Sequence, residues 1–323
     1  MTFAKRLPAS ILGGDPFNMF RFLYRRELLW KLFDEDYCLA VMQAALQAGG
    51  HAFDLSFEEN CRLFRRLREE TNMDLIGFGN PTWEQGVILN GKYIQYSRDR
   101  ILRTLVDRLL DRRLANLVET RLSIEDVLVF GYDRKAELLS DQEIASIYLD
   151  EGLFRKRLSI FRDCKYILMG GSDADWLVSL GRIDILAEMS RVVRQQGYIP
   201  MILCQYASTV LPAVENAGID IEGYAVPLNR DWSWFSRDEC IEAVLKVNKP
   251  VIAFMPLASG GLRKELRAAL DWLYNDAGVE SILYGTATPE HAFETTRSAL
   301  NARREADQSR TNIVDGRMLH GIH

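Results

Sequence analysis

Hydrophobic positions along this chain alternate between two patterns: short runs rich in Val, Ile and Leu, and longer stretches in which apolar residues recur every three or four positions. The first is the mark of a buried strand and the second of an amphipathic helix, so their alternation predicts a parallel sheet covered by helices. SILGG, from Ser10 to Gly14, reads as the first strand, and a helix from Asp34 to Ala48 stops at Gly49 and Gly50. HAFDLS gives the second strand, Phe57 to Glu70 a helix, DLIGFG from Asp74 the third strand, and Arg98 to Leu110 a strongly amphipathic helix. VLVFGYD, from Val127 to Asp133, is strand-like. It precedes a capping-box start, Ser140 with Glu143, and a charged helical segment to about Phe161.

From KYILMGG at Lys165 the rhythm is regular. Helix Ile183 to Gln196, strand IPMILCQ, helix Val210 to Ala217, strand IEGYAVP, helix Arg237 to Val247, strand PVIAFMP, helix Arg263 to Asn275, strand SILYG and a helix from His291 to about Arg304 follow in order. Counting every strand gives nine, one more than a barrel of TIM type requires. The expected fold is therefore α/β: a single (β/α)8 TIM barrel over residues 1–304, with an insertion of about 80–161 between strands three and four. Val127 to Asp133 is assigned to that insertion, its place as a true fourth strand being left open. Residues 305–323 show no apolar periodicity and are expected to form a C-terminal tail. An open doubly wound sheet would show the same alternation, but no GxGxxG follows the first strand; Gly13 and Gly14 run into Asp15 and Pro16 instead.

Composition narrows the function classes. The 323 residues are 48% hydrophobic and 26% charged, with a net charge of -5, so the chain is globular and offers no strong positive field for nucleic acid. Arg62, Arg65, Arg66 and Arg68 sit at helical spacing and read as a solvated face. Cys38, Cys61, Cys164, Cys204 and Cys240 are scattered without a CxxC pair, which points to a reducing compartment and away from zinc. No apolar run approaches the ~18 residues of a membrane span, and the N-terminus lacks a signal-peptide core. A cytoplasmic protein acting on a small-molecule ligand, with no membrane or nucleic-acid partner, is the expectation.

In a barrel, polar residues just past the C-terminal end of each strand face the open mouth. That rule selects Asp15, Asp54, Asn80, Ser172 with Asp173 and Asp175, Gln205 with Tyr206, Asn229 with Arg230, Ser259, and Thr286 with Thr288. Asp15, Asp54, Asp173 and Asp175 are the candidate catalytic residues, able to act as acid, base or hard-ion ligand; Asp15 could equally cap a turn, and Ser172 or Asp173 a helix. No metal site is expected. His51 lies at the wrong end of its strand for catalysis, His291 in a helix first turn, and Cys204 has no histidine to activate it. Strand seven ends in MPLASGGL and strand eight in LYGTATPEH, a flexible backbone leading into a helix N-terminus suited to phosphate.

These last two motifs resemble the aldo/keto reductases, NADPH-dependent barrels in which strand seven often reads close to YSPLASGLL and strand eight close to PGTSNPEHLEEN. The matching residues are Phe254 to Leu262 and Tyr284 to Thr295, and GGHAFDLS at Gly49 to Ser56 weakly resembles the stretch around the family's catalytic aspartate. The resemblance implies a dinucleotide, NAD or NADP, held by Gln205, Asn229, Pro256, Leu257, Ser259, Gly285, Thr286 and Thr288. It implies a catalytic role for Asp54 alone of the family's Asp, Tyr, Lys and His. Glu59 or Asn60 stands where the tyrosine is expected, Asn80 where the lysine is, and Gly170 with Gly171 where the histidine is, unless Tyr93, Tyr132 or Tyr206 reaches in. The final loop, Gly285 to Glu294, also lacks the family's basic residue, so a 2′-phosphate is poorly matched.

Three readings follow. The first is an atypical aldo/keto-reductase-like, NAD(P)-linked oxidoreductase belonging to a divergent branch without the full tetrad. The second is a non-redox lyase, isomerase or hydrolase using the mouth carboxylates on a phosphorylated or carboxylated substrate. The third is a catalytically silent ligand-binding barrel.

Overall fold

The computed structural model describes residues 6–23, 26–110, 133–231 and 237–319. Eight parallel strands close a barrel: β1 Ser10–Leu12, β2 Ala52–Leu55, β3 Ile76–Gly79, β4 Cys164–Gly170, β5 Ile199–Leu203, β6 Tyr224–Pro227, β7 Val251–Phe254 and β8 Ser281–Tyr284. Each pairs with its neighbour in sequence, and β1 closes the ring on β8 through Ser10 opposite Ile282 and Leu12 opposite Tyr284. Side-chain alternation sorts the strands into two faces. Ile11, Ala52, Phe78, Tyr166, Leu168, Met201, Ala225 and Ile252 fill the interior, where the Phe78 and Tyr166 rings stack at 4.6 Å. Their alternates, among them Phe53, Ile167, Ile202, Val226 and Ile282, are buried under the outer helices.

The inner face changes character towards the mouth. Asp54, two residues past Ala52 and opposite Phe78, carries the alternation upward as a carboxylate. Leu203, Phe254 and Leu283 are only partly buried there, forming an apolar floor open on one side.

Between β3 and β4 three short strands, Val87–Leu89, Lys92–Tyr93 and Tyr148–Leu149, form their own antiparallel sheet outside the ring. VLVFGYD, apart from Asp133, lies outside the described residues. The continuous helical segment expected from Ser140 to Phe161 is broken: Asp141–Ala145, which carries the predicted capping box, ends before the strand, and a second helix, Glu151–Leu158, follows it. That second helix and the turn Ser159–Phe161 lie close on the outer face of β3. A Cβ at Gly79 would stand 2.8 Å from both Phe161 Cγ and Ile167 Cδ1, so the close approach requires glycine.

The last helix also departs from expectation. It runs Pro289–Leu319, through the segment expected as a tail from 305. Ala292, Ala299 and Ala302, all fully buried, make the inner stripe of its predicted part, and past 305 the fully buried Ala306 continues it. Arg303 reaches Glu280 and Asp307, while Asp307 also meets Arg6, tying the helix to the N-terminal ends of β8 and β1.

Candidate active site at the barrel mouth

The four sequence-selected aspartates separate into two pairs. Asp54 is 3% exposed, and its Oδ2 accepts a hydrogen bond from the Gly14 N–H at 3.3 Å. Its Oδ1 is buried without a hydrogen-bond partner. Burial, followed by the Asp15 carboxylate, pushes its pKa up to about 7, against the opposing influence of Gly14, Asn80 and Ser56. Asp15 is open to water on one side, yet protein encloses it closely enough elsewhere for desolvation to raise its pKa as well. Burial is thus the main cause of both shifts, and the Asp15 charge adds to that of Asp54.

An asparagine bracket that the sequence did not reveal holds this pair in place. Asn60 donates to Gly14 O at 2.9 Å and accepts from the Phe57 N–H at 3.2 Å; Asn18 donates to Gly14 O at 3.2 Å and to Asn60 Oδ1 at 3.1 Å. Both side chains are buried. The bracket works only because Gly14 is bare, since a Cβ there would stand 2.6 Å from the Asp54 carbonyl. Gly14→Ala is accordingly expected to destabilise the fold by about 1–3 kcal/mol, the usual range for overpacking. Equilibrium urea unfolding checks it, and an unchanged midpoint would refute the tight-contact account.

Asp175 is committed to structure. Its Oδ2 and Oδ1 accept the backbone N–H groups of Gln205 and Tyr206, each at 2.9 Å, so the carboxylate anchors the entry to the helix Ala207–Ala217. Asp173, 2% exposed, is closed over by the insertion: Gln95 Nε2 donates to its Oδ2 at 2.5 Å and Gln85 Nε2 lies 3.4 Å from the same atom. Gln85 also pairs with both backbone groups of Gly170, accepting at 2.9 Å and donating at 2.7 Å as a neighbouring strand would. Burial drives the Asp173 pKa up to about 8, with a further push from Asp175. Asp15 is thus the exposed carboxylate of the four, Asp54 is buried beside it on the inner face, and Asp173 and Asp175 are hydrogen-bonded into the surrounding wall.

The proposed ligand-holding residues divide similarly. Asn229 is buried, with Nδ2 donating to Met255 O at 3.2 Å and Oδ1 accepting from the Asp231 N–H at 3.1 Å, and Thr288 Oγ1 accepts from the His291 N–H at 3.3 Å at the start of the last helix. Pro256 and Thr286 are buried, whereas Gln205 and Leu257 are partly open and Ser259 and Gly285 exposed. The loop carrying Ser259 holds three non-glycine residues in the left-handed region, Met255 (φ 53), Ala258 (φ 49) and Ser259 (φ 54). Strain of this kind persists where the surroundings over-determine the backbone, and it gathers at ligand clamps.

Asn60 belongs to the bracket, Tyr206 heads a helix, Tyr93 is half-buried with its pKa raised by burial, and Tyr132 lies outside the described residues. All five cysteines are buried and free, burial pushing the Cys204 thiol well above its ordinary value. Among the described residues, no group of three or more His, Cys, Asp or Glu side chains could hold a metal ion, and no helix is long and apolar enough to cross a membrane.

Against solved structures, the chain aligns with a candidate aldo-keto reductase from Pseudomonas aeruginosa at 14% identity and a TM-score of 0.54, covering 93% of this chain and 92% of the other. A second structure so described, from the same organism, aligns at 16% identity and 0.52, covering 93% of each. The likeness is one of fold. No family model and no curated protein sequence matches the chain.

Proposed function

We propose that this protein is a small-molecule enzyme of the NAD(P)-linked oxidoreductase kind, in which the Asp15/Asp54 carboxyl pair supplies the proton that a tyrosine supplies in the aldo/keto reductases. One observation carries the reading: Asp54 Oδ1 is buried, lacks a partner and belongs to a side chain on the inner face of the mouth, next to a second carboxyl. A carbonyl above the apolar floor of Leu203, Phe254 and Leu283 would receive that proton on oxygen as its carbon receives hydride, yielding an alcohol.

The rim from β5 to β8 fits a dinucleotide. Gln205, Leu257, Ser259 and Gly285 line its open edge. A cleft of about 430 Å³, with Arg263, Lys264, Glu265, Arg267 and Glu294 among its lining residues, lies between the last helix and the helix after β7. Arg263 and Lys264 supply the positive charge that the final loop lacks. A bound nicotinamide would supply the hydride; the chain would orient the substrate and hold the proton. Titration with NADH and NADPH, followed by tryptophan fluorescence, is expected to saturate below millimolar concentration, and no response at millimolar cofactor would sink the redox reading.

A second reading, a non-redox isomerase or lyase, is favoured by the proton of Asp54 leaving near neutrality without the family's lysine. It is distinguished by cofactor-free exchange of a substrate C–H proton in D2O.

A further inference from the structure

Arg157 is set apart from other arginines of the chain. Arg65 and Arg68 meet Asp163, Arg182 meets Asp184, Arg303 meets Glu280, and Arg230 meets Glu265. Arg157 makes no ion pair among the described residues, although it is half-buried and its Nε has no hydrogen-bond partner. Its guanidinium lies between two rings, 5.8 Å from the Phe57 centroid and 5.5 Å from that of Phe161, and Nη2 donates to Ser56 O at 3.0 Å. Burial depresses its pKa; Glu84, Cys61 and Tyr93 are the ionisable groups near enough to oppose that, yet none closes on it as an ion pair. Withdrawing a guanidinium from water without a counter-charge is costly, and a site that retains one is suited to an anion arriving from outside.

We infer that Arg157 anchors an oxyanion of the substrate, a carboxylate or a phosphate, on the β2 side of the mouth. The inference deepens the proposed function by naming a substrate class, and it rests on that reading only for the location of the reacting carbon. Ser56 stands two residues beyond Asp54, about 7 Å along the strand. The anion is therefore several bonds removed from the carbon that Asp54 serves, as in a small hydroxy- or oxo-acid or a phosphate ester. The rings restrict the guanidinium, and its planar fork matches either oxyanion. The insertion thereby gains a role. Gly79 admits Phe161 against β3, the helix Glu151–Leu158 is held at that depth, and its Arg157 points back to the rim.

Isothermal titration of the full chain with inorganic phosphate in one arm and malonate in the other tests this directly. At least one probe is expected to bind with millimolar affinity, and the stronger arm identifies the oxyanion. Arg157→Met should weaken that binding at least tenfold, Arg157→Lys should retain part of it, and Arg66→Met, far out on the solvated face of the helix Glu58–Thr71, should leave it unchanged. If Arg157→Met fails to fold, phenylglyoxal labelling of the unaltered protein, mapped by mass spectrometry, should show Arg157 modified more slowly when the probe is present. Binding of neither anion, undiminished binding by Arg157→Met, or labelling unaffected by the probe would mean that Arg157 only pins the insertion to β2. Because no arm measures turnover, failure here leaves the Asp54 proton chemistry standing, and failure of that chemistry leaves anion binding measurable.

Discussion

Replacing Asp54 with Asn is expected to lower turnover by roughly 10²- to 10⁴-fold, the range that general acid–base catalysis contributes, while substrate binding changes little. Asparagine preserves the shape and can still accept from the Gly14 N–H, but it has no proton to give near neutrality. The sign of the pH dependence follows from the raised pKa. Asp54 is protonated below about 7, so carbonyl reduction should proceed at full rate there and fall as the pH rises through that value. Asp15→Asn should move the limb to lower pH without abolishing it, because Asp15 is the lesser cause and burial the greater. Steady-state profiles of kcat/KM for the three proteins measure both effects. Retention of the wild-type rate by Asp54→Asn within threefold would exclude Asp54 as the proton donor.

Asp173 governs the second large effect, on stability. Its pKa is near 8 in the folded chain and near 3.8 when exposed. Between those values the folded state holds a proton that the unfolded state has released. The favourable contribution of that neutral acid is complete below about 3.8 and is lost progressively as the pH rises to about 8. A single such proton is worth at most about 1.4 kcal/mol per pH unit. Asp173→Asn cannot ionise and still offers Gln95 an acceptor, so it should gain on the wild type steadily between pH 5 and pH 8, to a total of a few kcal/mol. Urea midpoints at both pH values read the gap directly; a gap that does not widen would show that Asp173 is not held neutral.

The sequence made the barrel legible where strands and helices are built from Val, Ile and Leu, and Asp54, chosen for its place at the end of a strand, lies on the inner face opposite Phe78. It gave no sign of which mouth carboxylates are tied into the wall. Asp173 and Asp175 follow a strand exactly as Asp15 does, and only the distant Gln85, Gln95, Gln205 and Tyr206 reveal them as parts of the wall. Such partners lie tens of residues away and leave no periodic signal. The bracketing roles of Asn18 and Asn60 leave no sequence signal for a related reason, since a polar residue in a loop or on a helix looks solvated until its buried hydrogen bonds are seen. Arg157 was hidden among the charged neighbours Arg155 and Lys156, and past 305 the last helix keeps only Ala306 as a buried apolar position among its described side chains, too little to show as periodicity.

The pairing of β1 with β8 has a consequence for how the molecule comes into being. Because Ser10 finds its partner at Ile282, the ring cannot close until almost the entire chain has left the ribosome. Until then a growing, curved sheet carries two bare edges, and parallel pairing over such a separation is slow to form. Synthesis of this protein should therefore pass through a long-lived, open-edged nascent form, the stage at which chaperone capture or aggregation would decide its yield.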